Sequence, residues 1–259
     1  MNEIKLKKEI TKFLEHLGAF TARIADPIKF AHAPKGCHPL DIMDDCRSVI
    51  VFAFNIGLDY YTALVYEHNN IRLGHLYRDW TSLQLITFLR KKGYNAIEVP
   101  REFIDEKNRI APLSFKLAAY EAGIGVFGRP NIIITPEYGP RVNLGVVLTD
   151  AFLTPNGLME NFNPCEKCIV CVKVCPVNAI KGNVPPPTGF DRKRCIGFID
   201  WLKEKTNERV KLCGYCFNLC PVGKVVKKTV RIKRWATLTE LKAEDRIKLV
   251  TEFTKSIDI

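Results

Sequence analysis

The sequence predicts an α+β protein in two parts, a mixed α/β region of about 150 residues followed by a small cysteine-rich domain and a short helical tail. Three observations lead there. Ser48–Phe54 (SVIVFAF) is a continuous β-branched and apolar run, the pattern of a buried strand. Leu76–Lys92 spaces Leu76, Trp80, Leu83, Leu85, Ile86 and Leu89 over a helical face. Eight of the ten cysteines fall between Cys165 and Cys220, leaving only Cys37 and Cys46 outside.

The chain opens MNEIKLKKEITKFLEHLGAF, charged throughout, with Ile10, Phe13, Leu14 and Leu17 at helical spacing. That is an amphipathic helix rather than a secretory leader. No apolar run approaches the roughly 18 residues of a membrane span, so the expectation is a cytoplasmic protein with no membrane partner. Pro112–Ala122 reads as a shorter helix, with Gly123 as its C-terminal cap. Asn131–Thr135 and Val142–Thr149 read as strands around a turn at Glu137–Pro140. Thr154–Pro164 is polar and turn-rich and precedes the cysteine block. The expected domains are therefore 1–157, 158–225 and a tail over 226–259.

Ten cysteines in a reducing compartment do not form a disulfide framework; they need burial or metal. Cys165-x2-Cys168-x2-Cys171-x3-Cys175-Pro176 is the run of bacterial two-cluster ferredoxins. Thiolates on one tight loop reach three irons of a cubane, and the fourth cysteine turns to the other cluster. The second group is Cys195, then Cys213-x2-Cys216-x3-Cys220-Pro221, a degenerate repeat of the first. The exchange rule assigns one [4Fe–4S] cluster to Cys165, Cys168, Cys171 and Cys220, and another to Cys175, Cys195, Cys213 and Cys216. Zinc takes four ligands in paired hairpins and does not explain eight cysteines with two Cys-Pro closures. Cys37 and Cys46 have no ligand-spaced neighbour and read as buried small hydrophobes, and the five histidines show no ligand spacing.

The formal charge of +11 is uneven: residues 1–150 carry a net +2 and residues 151–259 a net +9. Cluster thiolates offset part of that excess, so nucleic-acid binding gains little from composition. Lys224, Lys227, Lys228, Arg231, Lys233 and Arg234 form a basic run without an acid from Pro221 to Trp235. It suits an acidic low-potential donor such as ferredoxin or flavodoxin, whose docking weakens with salt.

Several stretches resemble the epoxyqueuosine reductases and reductive dehalogenases. They are Pro39–Met43 leading into Ser48–Phe54; Arg78-Asp79; Ala122–Arg129 (AGIGVFGR); and Thr135–Val142 (TPEYGPRV), on to Thr149-Asp150. With the cysteine block the likeness covers about residues 39–221, and the Glu-Tyr-Gly-Pro-Arg-Val wording leans toward the dehalogenases. The resemblance implies a nitroreductase-like α/β domain cradling base-off cobalamin beside a two-cluster ferredoxin-like domain. Gly123, Gly125 and Gly128 would admit a flat macrocycle close to backbone. Tyr77, Lys116 and Arg129 are the candidates for proton delivery or substrate contact, with Arg129 also a cofactor contact. The position given to a proton-donating Asp in epoxyqueuosine reductases holds Arg109, within Arg109-Ile110-Ala111-Pro112. The chain also stops soon after the cysteine block and carries no twin-arginine signal. The expectation is a compact relative, acting on a small molecule or an RNA.

Three functions follow: a corrinoid-dependent iron–sulfur reductase, an electron-transfer protein or reductive activator without a corrinoid, and a flavin-dependent iron–sulfur reductase.

Overall fold

A computed structural model of the chain describes residues 3–55, 73–99, 105, 109–207, 210, 213–224, 238 and 241–257. The described residues fall into two compact units. The first takes the chain up to Asn55, then 75–126 and 142–162; the second takes 127–141 and the chain from 163 onward. The units divide at 162/163, and 127–141 groups with the cysteines rather than with its neighbours in sequence.

The first unit is built on a four-stranded sheet. Its strands are β1 (Thr21–Ala25), β2 (Ser48–Asn55), β3 (Ala96–Glu98) and β6 (Val142–Thr149), in the order β1-β2-β6-β3 with each neighbouring pair antiparallel. β2 is central and buried from Ser48 to Phe54, which accounts for its unbroken apolar run. Alternate residues Ile50, Phe52 and Phe54 join one cluster with Leu6, Ile10 and Leu14 of helix α1 (Glu3–His16). Leu85, Ile86 and Leu89 of helix α3 (Leu73–Lys91) complete it. Helix α4 (Phe115–Glu121), N-capped by Ser114 through the Leu117 N–H, packs on β2 and β6 with Ala118 and Ala119 buried. The short helix α2 (Pro39–Ile42) opens with a capping box between His38 and Asp41.

α3 divides the face expected of it. Leu85, Ile86 and Leu89 are buried with Arg78, Thr81 and Ser82, whereas Leu76, Trp80 and Leu83 are exposed. Both stripes are apolar at helical spacing, so the pattern left two orientations open. On the buried side, Arg78 stacks over the Phe115 ring, 5.5 Å from its centroid, while holding Asp79 at 2.9 Å.

Two close approaches fix the sheet. Gly145 lies opposite Phe52, whose ring would stand 2.2 Å from a Cβ at that position. Gly145→Val is expected to destabilise the chain by about 3 kcal/mol through overpacking, and thermal unfolding of the intact protein measures it. Asn156 caps the β1 edge, exchanging hydrogen bonds with Ile24 through its side-chain oxygen at 2.8 Å and its own N–H at 2.9 Å.

The pairing around Glu137–Pro140 differs from the hairpin that sequence suggested. The first strand shrinks to β5 (Ile133–Ile134) and pairs with β4 (Val126–Phe127), while β6 enters the four-stranded sheet. The cause is a tight loop closed by reciprocal 2.9 Å hydrogen bonds between Thr135 and Gly139, with Gly139 at φ +60°. That loop leaves no room for a ladder between the two segments.

Among the described residues the second unit has four helices: α5 (Val170–Val174), α6 (Arg192–Lys205), α7 (Tyr215–Asn218) and α8 (Ala243–Ile257). Its core is Val177, Ala179, Phe198, Leu202, Val210, Leu238 and Phe253, with Cys175, Cys195 and Cys213 packed against it. The helical tail expected from sequence is α8. Lys227, Lys228, Arg231, Lys233 and Arg234 of the basic run, and His68, lie outside the described residues.

Candidate metal centre

The degenerate cysteine repeat folds as two short helices that pack together. α5 carries Cys171 and ends on Cys175, and α7 carries Cys216 after Gly214, whose φ of +79° sets the turn before it. Cys195 rides on α6, N-capped by Asp191 through the Arg194 N–H at 2.9 Å. An Ile180–Phe190 bridge closes the Val184–Gly189 loop between the two groups.

All eight of these thiols are half-buried. Cys165, Cys168, Cys171, Cys216 and Cys220 line one narrow cavity with Ile134 and Val170. Burial pushes the Cys171 thiol up to about 11, with Cys165, Cys168 and Cys220 adding repulsion. Burial likewise takes Cys195 to about 11, with Cys175 and Asp191 contributing, and Cys213 to about 12 beside Cys175 and Cys195. Cys216 is raised by burial first, then by Cys213, Cys195, Cys171 and Cys175. It therefore lines the first cavity yet senses mainly the second set. We group it with the second set, because three of its four repelling neighbours belong there.

Backbone N–H groups are aimed at five of the sulfurs. Ala179 donates to Cys175 Sγ at 3.2 Å, and Arg129, Val172, Tyr215 and Val222 donate to Cys165, Cys171, Cys213 and Cys220. Such donors favour thiolate over thiol and are a recognised means of tuning a metal–sulfur centre. Among the described residues, no three or more His, Cys, Asp or Glu converge closely enough to hold a single metal ion. Thiolates around a multi-iron core stand further apart than around one zinc, since sulfides of the core fill the middle. The donor set suits a cluster: cysteine only, with N–H groups directed at the sulfurs.

Two buried arginines of 127–141 bind the cysteine loops. Arg129 donates to the carbonyls of Val184 at 2.8 Å, Cys168 at 3.0 Å and Glu166 at 3.1 Å. Arg141 donates to Cys220 O at 3.1 Å, Gly223 O at 3.2 Å, Phe217 O and Lys224 O at 3.4 Å, and Val222 O. Lys224 N–H returns a bond to Glu137 O at 2.7 Å. Arg141 was missed as a site residue. Its signs in the sequence are its place after the Gly-Pro turn and within the Glu-Tyr-Gly-Pro-Arg-Val stretch.

The remaining candidates fall in different units. Tyr77 belongs to the first unit and donates its hydroxyl to Leu17 O at 2.5 Å, beyond the end of α1, with its ring against Phe54 and Trp80. Lys116 sits half-buried in the first turn of α4. Arg129 lies in the second unit with its guanidinium committed to the three carbonyls. Gly123, at φ +71°, caps α4, and a Cβ there would fall 2.2 Å from Gly157 O. A Cβ on Gly128 would meet Ile134 at 2.8 Å. At both positions the chain itself makes the close approach, and Gly125 is buried between them. Arg109 stands at φ +50° in a turn closed by the Asp105–Ile110 bridge.

Cys37 and Cys46 are buried as expected, their thiols raised by burial, Cys46 to about 11. A thiolate-selective alkylating agent at neutral pH is expected to leave both unmodified in the folded protein, as read by mass spectrometry.

The chain holds an α/β unit and a unit bearing two Cys-Pro-closed cysteine groups, and comparison bears on which class of protein that defines. No family model matches the chain. Its likeness is to epoxyqueuosine reductases in sequence, and to epoxyqueuosine reductases and reductive dehalogenases in fold. The curated relatives are epoxyqueuosine reductases. That of Atelocyanobacterium thalassa is 28% identical over 219 residues, covering 77% of this chain and 66% of the relative. That of Bacillus anthracis is 33% identical over 121 residues, 43% of this chain and 30% of the relative. The chain thus spans just under two thirds of one and under a third of the other. Among solved structures, epoxyqueuosine reductase from Bacillus subtilis aligns over 96% of this chain and 76% of its own, with TM-score 0.64 and 17% identity. A reductive dehalogenase, described as suggesting a mechanism for B12-dependent dehalogenation, aligns over 94% of this chain and 35% of its own, with TM-score 0.60 and 20% identity.

Proposed function

We propose that the chain is an iron–sulfur oxidoreductase with a nitroreductase-like first domain and a ferredoxin-like second one. Two [4Fe–4S] clusters, one on Cys165, Cys168, Cys171 and Cys220 and one on Cys175, Cys195, Cys213 and Cys216, carry electrons from a low-potential donor to a bound corrinoid. The observation that carries this reading is the pairing of distant cysteines: Cys220 lines one cavity with Cys165, Cys168 and Cys171. The donor is an acidic carrier such as a ferredoxin or flavodoxin, and the working compartment is the cytoplasm.

The clusters supply single-electron transfer, and a corrinoid supplies a strong metal-centred reductant. The chain's residues hold and exclude. Backbone N–H groups at 129, 172, 179, 215 and 222 favour the thiolates, the arginines brace the ligand loops, and the apolar core under Cys175, Cys195 and Cys213 keeps water from the second set. Lys116, half-buried in the first turn of α4, is the proton-delivery candidate. Tyr77 and Arg129 serve positioning instead. The substrate class indicated by the curated relatives is a modified nucleoside in RNA. Removing an epoxide oxygen as water takes two electrons and two protons, and Arg109 stands where the proton donor is expected.

A second reading, an electron-transfer protein or reductive activator, is favoured by Gly123 and Gly128, whose neighbouring space is filled by the chain. A flavin in place of the corrinoid is the third. Anaerobic reconstitution is expected to give about eight irons and eight acid-labile sulfides per chain, and zinc without sulfide would sink the proposal. The visible spectrum after adding cob(II)alamin or flavin identifies the acceptor. Free-cofactor spectra at high protein concentration would leave the electron-transfer reading. Epoxyqueuosine-containing tRNA then tests the substrate class by nucleoside mass spectrometry.

A further inference from the structure

Buried charge in the second unit is distributed unevenly around the two cysteine sets. Arg141 is 1% exposed and Arg129 6%. Among the described residues both are satisfied by main-chain carbonyls, and neither has a carboxylate partner. Carbonyls answer the N–H groups of a guanidinium but leave its charge uncompensated, a costly arrangement unless an opposite charge is near. Arg129 holds the carbonyls of Glu166 and Cys168, and Arg141 that of Cys220, so both guanidiniums lie in the ligand loops of the first set, where they favour the thiolates of Cys165 and Cys220. Among the described residues, the charged side chain acting on the second set is Asp191, the cap of α6, beside Cys195. Cys213 and Cys216 face other cysteines.

We propose that Arg129 and Arg141 are the resident counter-charges of the cluster on Cys165, Cys168, Cys171 and Cys220, making it the more easily reduced of the two and the first to hold the electron. The inference rests on the two-cluster reading above. The step moves one electron and no proton: a low-potential carrier loses it, and the cluster with its four thiolates passes from a charge of about −2 to about −3. Two fixed positive charges in a poorly screened interior favour the more negative state. Both arginines are positioning residues, acting through the cluster rather than on substrate.

The test is an EPR-monitored redox titration of the reconstituted protein with chemical mediators, alongside iron and sulfide analysis. Cys195→Ser marks the second centre by altering its signal. The wild type is expected to reduce first the centre whose signal Cys195→Ser leaves unaltered. Arg141→Gln should lower that centre's reduction constant at least about tenfold, a one-electron shift of about 59 mV, without moving the other. Arg141→Lys keeps the charge and should hold the potential near the wild-type value. Asp191→Asn retains the helix cap and should make the second centre easier to reduce, narrowing the gap. Reduction of the Cys195 centre first, or an Arg141→Gln potential unchanged from the wild type, overturns the proposal. If Arg141→Gln fails to load iron, an unchanged gap in Asp191→Asn overturns it instead. Wild-type protein that takes up no iron and sulfide marks failure of the two-cluster reading, not of the charge assignment.

Discussion

Replacing Cys195 by alanine should lower the iron content from about eight atoms per chain to about four, with a matching loss of sulfide. Cys195 lies on α6, where alanine is a good helix former, so the helix should survive the change. Its thiol faces Cys175 and Cys213, while Cys165, Cys168, Cys171 and Cys220 gather elsewhere. One centre should therefore disappear from the EPR spectrum and the other persist. Electron delivery beyond the surviving centre should fall by orders of magnitude, because the relay has lost a station. Unchanged iron would refute the exchange of cysteines between the groups. Loss of all iron would show that the two sets do not load independently.

The second large effect is expected at Gly223. Its φ is +75°, and a Cβ there would fall 2.1 Å from Gly139 N and 2.3 Å from Tyr138 C. Gly139 reciprocates: at φ +60°, its own Cβ would meet Val222 O at 2.1 Å. Two stretches of bare backbone touch here, directly after the Cys220 ligand position. Gly223→Val introduces a branched side chain where neither the dihedral nor the space admits one, and should cost more than about 4 kcal/mol. The expected result is loss of the centre that depends on Cys220, read as halved iron or as failure to purify with bound iron. Gly157 is the control. It has φ +74° but nothing within 4 Å of a Cβ, so Gly157→Ala should cost only about 1–2 kcal/mol.

Much of this site was legible from spacing alone. The Cys-x-x-Cys-x-x-x-Cys-Pro repeats are local, and local geometry is what sequence reports best. Ser48–Phe54 declared itself a strand because it is buried on both faces, and Gly123 declared a cap because α4 ends on a left-handed residue. What escaped was long-range. Leu76, Trp80 and Leu83 share helical spacing with Leu85, Ile86 and Leu89, and the stripes are told apart only by packing: the second trio joins the core cluster while the first stays exposed. Gly128 has a flexible look in sequence, but Ile134 fills the space beside it. Arg141 stands in a stretch that carries the resemblance, but its role comes from five carbonyl partners 76 to 83 residues away, beyond the reach of local pattern.

Those partners bear on how such a protein could have been assembled from ancestral parts. Arg141 closes the segment that belongs with the cysteines, and the next residue, Val142, begins β6 of the sheet. The cysteine block is consequently not a portable cassette. Cut out as 158–225 and fused to another host, it would leave behind both guanidiniums, the N–H that serves Cys165, and the glycine against which Gly223 rests. Recombination at that seam would deliver the ligands without their brace. A viable transfer must carry 127–141 as well, and with it the chain's passage out of the sheet unit and back.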